Sequence, residues 1–109
     1  MSNTYQIYLI SDSTGETLDR VFLAIKAQFI NIEYDVKSYF FTRTENQISK
    51  IMEEAKEKSN SIILYTIVDT SLAKFLANKG DEKKIPCFSV LGSLIMNFSK
   101  LLNQKASHV

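Results

Sequence analysis

The chain has 109 residues, room for one domain with a single core and too few for two. Thirteen basic against twelve acidic residues leave a net charge of +1, so no field draws the chain to nucleic acid or to an anionic membrane. Apolar residues are 45% and charged residues 23%, an ordinary soluble balance, while one cysteine and one histidine rule out an internal disulfide and a Cys/His metal cluster.

The opening MSNTYQ has no basic region followed by an apolar segment, and no apolar run approaches membrane-spanning length. The expectation is a cytoplasmic protein. Ile7-Tyr8-Leu9-Ile10 is too short and too unbroken for an amphipathic helix and reads as a strand buried on both faces. Polar chemistry begins at Ser11. The spacing Ser13-x-x-Glu16 is that of a capping box, which predicts a helix starting there and carrying Leu18, Val21, Phe22, Ile25 and Phe29 on one side. Strand, turn and helix start in succession leave unpaired N–H groups where the helix dipole favours an anion. From these residues alone, a phosphate-sized site and a simple helix cap are both open.

From Glu33 to Phe41 the sequence alternates, as suits a half-solvated edge strand. Thr44-x-x-Gln47 is a second capping-box spacing, leading into Ile48, Ile51, Met52 and Ala55, with Lys56 and Lys58 at the negative end of the dipole. Ser61 to Val68, SIILYTIV, is the most continuously apolar and β-branched run, and should be the central strand. Asp69-Thr70-Ser71 offers N-cap candidates for a short helix with Leu72, Phe75 and Leu76 inward, ending near Asn78 and Gly80. Asp81 to Lys84 reads as a charged surface loop. Pro86 introduces a strand over Cys87 to Leu91, with Cys87 a small buried hydrophobe. Gly92-Ser93 turns the chain into a last helix carrying Leu94, Ile95, Phe98, Leu101 and Leu102. Residues 104–109 read as a disordered or linker tail, and His108 within it has no partner that would make it catalytic.

Four strands alternating with four helices predict a three-layer α/β domain over residues 1–103, Rossmann-like or flavodoxin-like, with a parallel sheet in the order 2-1-3-4 and helices on both faces. That order opens a crevice between the carboxyl ends of strands one and three. It collects Ser11, Asp12, Ser13, Thr14, Gly15, Glu16 and Thr17 from one side and Asp69 and Thr70 from the other, with Arg43 leaving the edge strand at the same end.

The only glycines are Gly15, Gly80 and Gly92, the closest two twelve positions apart, so neither a P-loop nor a dinucleotide fingerprint can be written onto the chain. Asp12 and Asp69 are candidates to hold Mg²⁺ bridging phosphate oxygens, or for one to act as a general base; each is equally a candidate N-cap. Arg43 is a candidate for bidentate pairing with a phosphate or carboxylate, against a structural salt bridge to Asp12 or Glu16.

Four blocks, in this order and spacing, carry a resemblance: IYLISDSTGET at 7–17, Phe41-Thr42-Arg43-Thr44, LYTIVD at 64–69 and IPCFSVLG at 85–92. Together they resemble the amino-terminal part of the bacterial regulatory proteins of pyruvate, phosphate dikinase and phosphoenolpyruvate synthase. The resemblance implies a bifunctional serine/threonine kinase and phosphorylase. Such a protein inactivates the dikinase by ADP-dependent phosphorylation of a threonine and restores it by phosphate-dependent removal of that group, releasing pyrophosphate. It implies ADP and phosphate as ligands, and a dikinase as partner. Family members are longer, and their P-loop-like nucleotide segment lies in the carboxyl-terminal part, matching nothing here. The chain is therefore expected to be inactive alone and to depend on a carboxyl-terminal domain or second polypeptide, with an oligomer also open. Two other classes remain: a receiver-like domain with Asp69 as phospho-acceptor, and a non-catalytic binding or oligomerisation remnant. Against the receiver, Asp12 lacks an acidic neighbour and no fifth strand brings a lysine.

Overall fold

A computed structural model describes residues 4–106, in which strand and helix alternate four times. In chain order these are β1 (Thr4–Ser11), α1 (Glu16–Lys26), β2 (Glu33–Tyr39), α2 (Glu45–Glu57), β3 (Ser61–Thr66), α3 (Thr70–Lys83), β4 (Cys87–Ser89) and α4 (Gly92–Leu102). All pairings are parallel and the strand order is β2-β1-β3-β4, as expected from an alternating strand at the edge and continuous apolar runs inside. The alternating strand sits at one edge, and β1 and β3 lie inside it. His108 lies outside the described residues.

Side chains alternate across each strand, so the sheet carries two cores. On one face Tyr8, Ile10, Ile63 and Tyr65 pack beneath Ile48, Ile51, Met52 and Ala55 of α2 and Leu72 and Leu76 of α3. On the other, Ile7, Leu9 and Leu64 pack against Leu18 and Phe22 of α1. The second core is the smaller. Helix α2 begins as its spacing requires: the Thr44 side chain accepts from the Gln47 N–H at 3.1 Å, and Gln47 Oε1 accepts the Thr44 N–H at 3.1 Å. Asp69 caps α3, its Oδ1 accepting the Leu72 N–H at 2.9 Å.

Several local expectations are corrected. Helix α3 does not end near Asn78 and Gly80; it continues to Lys83, so Asp81, Glu82 and Lys83 form its last turn, and the loop shrinks. Gly80 is not a stop but a buried contact point, where a Cβ would collide with Cys87 Sγ of β4. The helix ends instead at Lys84, in the left-handed conformation with φ 58°. Strand β4 covers three residues rather than reaching Leu91. Helix α1 ends at Lys26, so Phe29 lies beyond it rather than on its stripe, and that stripe is covered only in part, since Leu18 and Phe22 are buried whereas Ile25 is exposed. Helix α4 forms where expected but buries none of its residues.

Candidate functional site

The site is built on the loop that leaves β1. Ser11, the last residue of that strand, is fully buried, and its Oγ accepts the Ser13 N–H at 3.1 Å, curling the chain back on itself. The hydroxyls of Ser11 and Ser13 lie 3.3 Å apart. This corrects the capping-box expectation for Ser13 and Glu16. Ser13 is held in the loop, where its carbonyl accepts the Phe41 N–H at 3.1 Å, and the N-cap of α1 is Gly15, with no side-chain cap. Gly15 takes φ 78°, and a Cβ there would strike the Phe40 ring.

Asp12 is fastened on three sides. Its N–H donates to Thr66 O at 3.1 Å, its Oδ2 accepts the Val68 N–H at 2.8 Å, and its carbonyl accepts Arg43 Nε–H at 2.9 Å. One carboxylate thus staples the β1 loop to the β3 loop, leaving Oδ1 without a partner among the described residues. Arg43 is corrected accordingly: no ion pair joins it to the Asp12 or Glu16 carboxylate among the described residues. It bonds a main-chain oxygen and lies 5.3 Å from the centre of the Phe41 ring.

Between these loops is a cavity of about 210 Å³ lined by residues 11–18, 66–68 and 90–92 with Ile95. Ser11, Asp12, Ser13, Thr14, Gly15, Glu16 and Thr17 are among its walls. Arg43, Asp69 and Thr70 are not: the arginine braces the loop from behind, while Asp69 and Thr70 open α3 with the carboxylate engaged in capping. The far wall, Val90-Leu91-Gly92 and Ile95, lies outside the residues that the sequence singles out as a site. Its signal is faint: IPCFSVLG reads as strand and turn, and Leu91 is no usual N-cap residue.

That wall matters because α4, like α1, starts without a side-chain cap, at Leu91 with φ 71°. Helices α2 and α3 are capped by Thr44 and Asp69; α1 and α4 are not, and their first turns face one cavity. First-turn N–H groups have no intrahelical acceptor, so the cavity is bordered by amide donors and two positive dipole ends. Backbone strain gathers at the same place. Among non-glycine residues with positive φ, the asparagines tolerate it readily; of the two bulky apolar ones, Leu91 at 71° stands in the cavity wall, and Phe41 at 53° lies in the β2–α2 loop, which its N–H ties to Ser13 O. Elsewhere, Cys87 is half-buried and burial pushes its thiol up to about 11, leaving it a packing residue rather than a nucleophile. Among the described residues no group of three acidic, histidine or cysteine side chains could hold a metal by itself.

Comparison with known proteins follows the same residues. A model of the Kinase/pyrophosphorylase family matches residues 7–109. Three curated relatives all bear the name of a pyruvate, phosphate dikinase regulatory protein. The one from Pelagibacter ubique (strain HTCC1062) is 92% identical over the whole chain, which covers 40% of its length. That from Geotalea uraniireducens (strain Rf4) is 35% identical over 89% of the chain and 36% of its own length. The third, from Bradyrhizobium sp. (strain ORS 278), is 32% identical over 92% of the chain and 36% of its own length. The chain thus spans about two fifths of the length of these relatives. The block SDSTGET that walls the cavity falls inside the matched region, and the chain belongs to the kinase/pyrophosphorylase family of dikinase regulatory proteins.

Proposed function

We propose that this chain supplies the phosphate-facing wall of a dikinase regulatory protein, receiving an anionic phosphate group between the first turns of α1 and α4. The observation that carries the reading is the convergence of two helices lacking side-chain caps on one cavity beside Asp12. The activity of the whole protein is then ADP-dependent phosphorylation of a dikinase threonine and its phosphate-dependent reversal with release of pyrophosphate, in the cytoplasm. Asp12 and Glu16 put negative charge into the same mouth, which disfavours a bare phosphate and suits one that arrives with Mg²⁺. Asp12, a wall residue whose Oδ1 accepts no hydrogen bond among the described residues, is the candidate ligand for that cation; no cage of protein ligands is needed, because phosphate oxygens and water complete a magnesium shell.

Phosphoryl transfer requires donor phosphate, cation and acceptor hydroxyl to be fixed together. A chain with three widely spaced glycines has no phosphate-cradling loop of its own. It therefore binds without turning over. The test is thermal: millimolar phosphate or ADP with Mg²⁺ should raise the melting temperature, since a ligand that binds only the folded form stabilises it. Thr14→Val, at an exposed wall residue with no side-chain hydrogen bond among those described, should abolish the shift without lowering the unliganded melting temperature. Unchanged melting at every ligand concentration, or robust phosphorylation of a purified dikinase by the isolated chain, would contradict the proposal.

A further inference from the structure

The two faces of the sheet are unequally covered. Helices α2 and α3 bury Ile48, Ile51, Met52, Ala55, Leu72 and Leu76 over one face, whereas α1 buries only Leu18 and Phe22 over the other. That second face is largely apolar, with Ser38 the polar end of one row at the β2 edge. In register, Val36, Ile7 and Ile62 form one row across it and Leu9, Leu64 and Phe88 the next, yet Val36 is 41% exposed and Phe88 55%. Parallel sheets are normally covered on both faces, because a hydrated row of this kind forfeits its hydrophobic stabilisation.

Helix α4 has the same deficit. Its Leu94, Phe98 and Leu101 recur at spacings of four and three and form one stripe, exposed by 54%, 58% and 81%. Eleven residues are too few for a helix to hold itself together in water, so its stripe requires a partner.

We infer that this face, from the β4 edge at Phe88 to the stripe of α4, is the docking surface for the part of the polypeptide that the relatives carry beyond the matched region. The Pelagibacter ubique relative is 92% identical across the chain, and 60% of its length lies beyond the match. That relative has as much again and more of chain to place, and an apolar segment laid on Phe88, Leu94 and Phe98 completes the missing layer. Since Gly92 and Ile95 at the start of α4 line the cavity, the docked segment also borders its mouth. The inference rests on uncovered area and stands whatever the cavity binds.

Hydrogen exchange tests it on two proteins, the 109-residue chain and the full-length Pelagibacter ubique relative. Amides of residues 92–102 should exchange about a hundredfold more slowly in the full-length protein than in the shorter chain. The double substitution Phe98→Glu and Leu101→Glu should leave the melting temperature of the 109-residue chain unchanged and lower that of the relative when made at the aligned positions. Fast exchange in both proteins would overturn the inference, since the face is then bare in the complete molecule. Protection in the shorter chain that fades on dilution would assign the face to a second copy, and protection at every dilution would mean that the chain covers α4 itself. Either result defeats the proposal, as would equal destabilisation of both proteins by the double substitution.

Discussion

Gly15 shows how one residue can hold a site open. Its φ of 78° lies in the region that side chains avoid, and the space where a Cβ would go is taken by the Phe40 ring. Gly15→Ala should therefore cost about 1–3 kcal/mol in urea unfolding, from backbone strain and displacement of Phe40 together. An unchanged midpoint would mean that the β1–α1 loop adapts freely. Asp12 works the opposite way. Its carboxylate is spent partly on structure, accepting the Val68 N–H, so its side chain shapes the mouth even before any ligand arrives. The sequence marked Asp12 by its place after a strand, but could not show which oxygen is engaged, because the donor lies 56 residues further on.

At the scale of elements, the four helices divide by how they begin. Asp69 accepts an N–H of the first turn of α3, whereas Ser13 contributes nothing of that kind to α1. Asp69→Ala should thus destabilise the fold by about 1 kcal/mol, and Ser13→Ala should stay within about 0.5 kcal/mol, measured by chemical unfolding. Equal losses would restore Ser13 as a cap. The two spacings S-x-x-E and T-x-x-Q look alike in sequence, yet only the second closes as a box. The difference is tertiary: Ser13 is drawn toward Ser11 and Phe41 by hydrogen bonds, and nothing competes for Thr44 in that way.

For the molecule as a whole, one polar cluster ties the edge strand to the better-covered face. Glu54 of α2 accepts from Lys37 Nζ and from Tyr39 Oη, each at 2.8 Å. The hydrogen bonds from Lys37 and then Tyr39 hold the Glu54 carboxyl below its ordinary value, while burial and then Glu54 push the Tyr39 phenol up to about 12. A carboxyl depressed in the folded state contributes stability above its unfolded pKa, and that contribution is lost as pH falls through the folded value. Glu54→Gln should cost about 1 kcal/mol at neutral pH, and the gap from the parent should close on acidification below about pH 4. A gap that persists at low pH would show that packing, not ionisation, is responsible. The phenol acts with the opposite sign: its stabilisation is complete below pH 10 and declines as pH rises toward 12.

What the sequence determined by itself is the order of the elements and their arrangement. Unbroken apolar runs at 7–10 and 61–68 call for the inside of a sheet and alternation at 33–41 for its edge, right-handed crossovers make the strands parallel, and the order 2-1-3-4 meets all of these. It also determined the family, since the blocks that carry the resemblance lie within the stretch that the family model matches. Tertiary structure alone decided which helix starts share a cavity, why Gly80 packs inside a helix instead of ending one, and which apolar stripes stay wet. Periodicity reports that a face is apolar; whether another surface meets it depends on contacts between residues far apart in the chain. Leu101 and Leu76 occupy similar helical stripes, and only the packing of α3 against α2 buries one while the other remains in water.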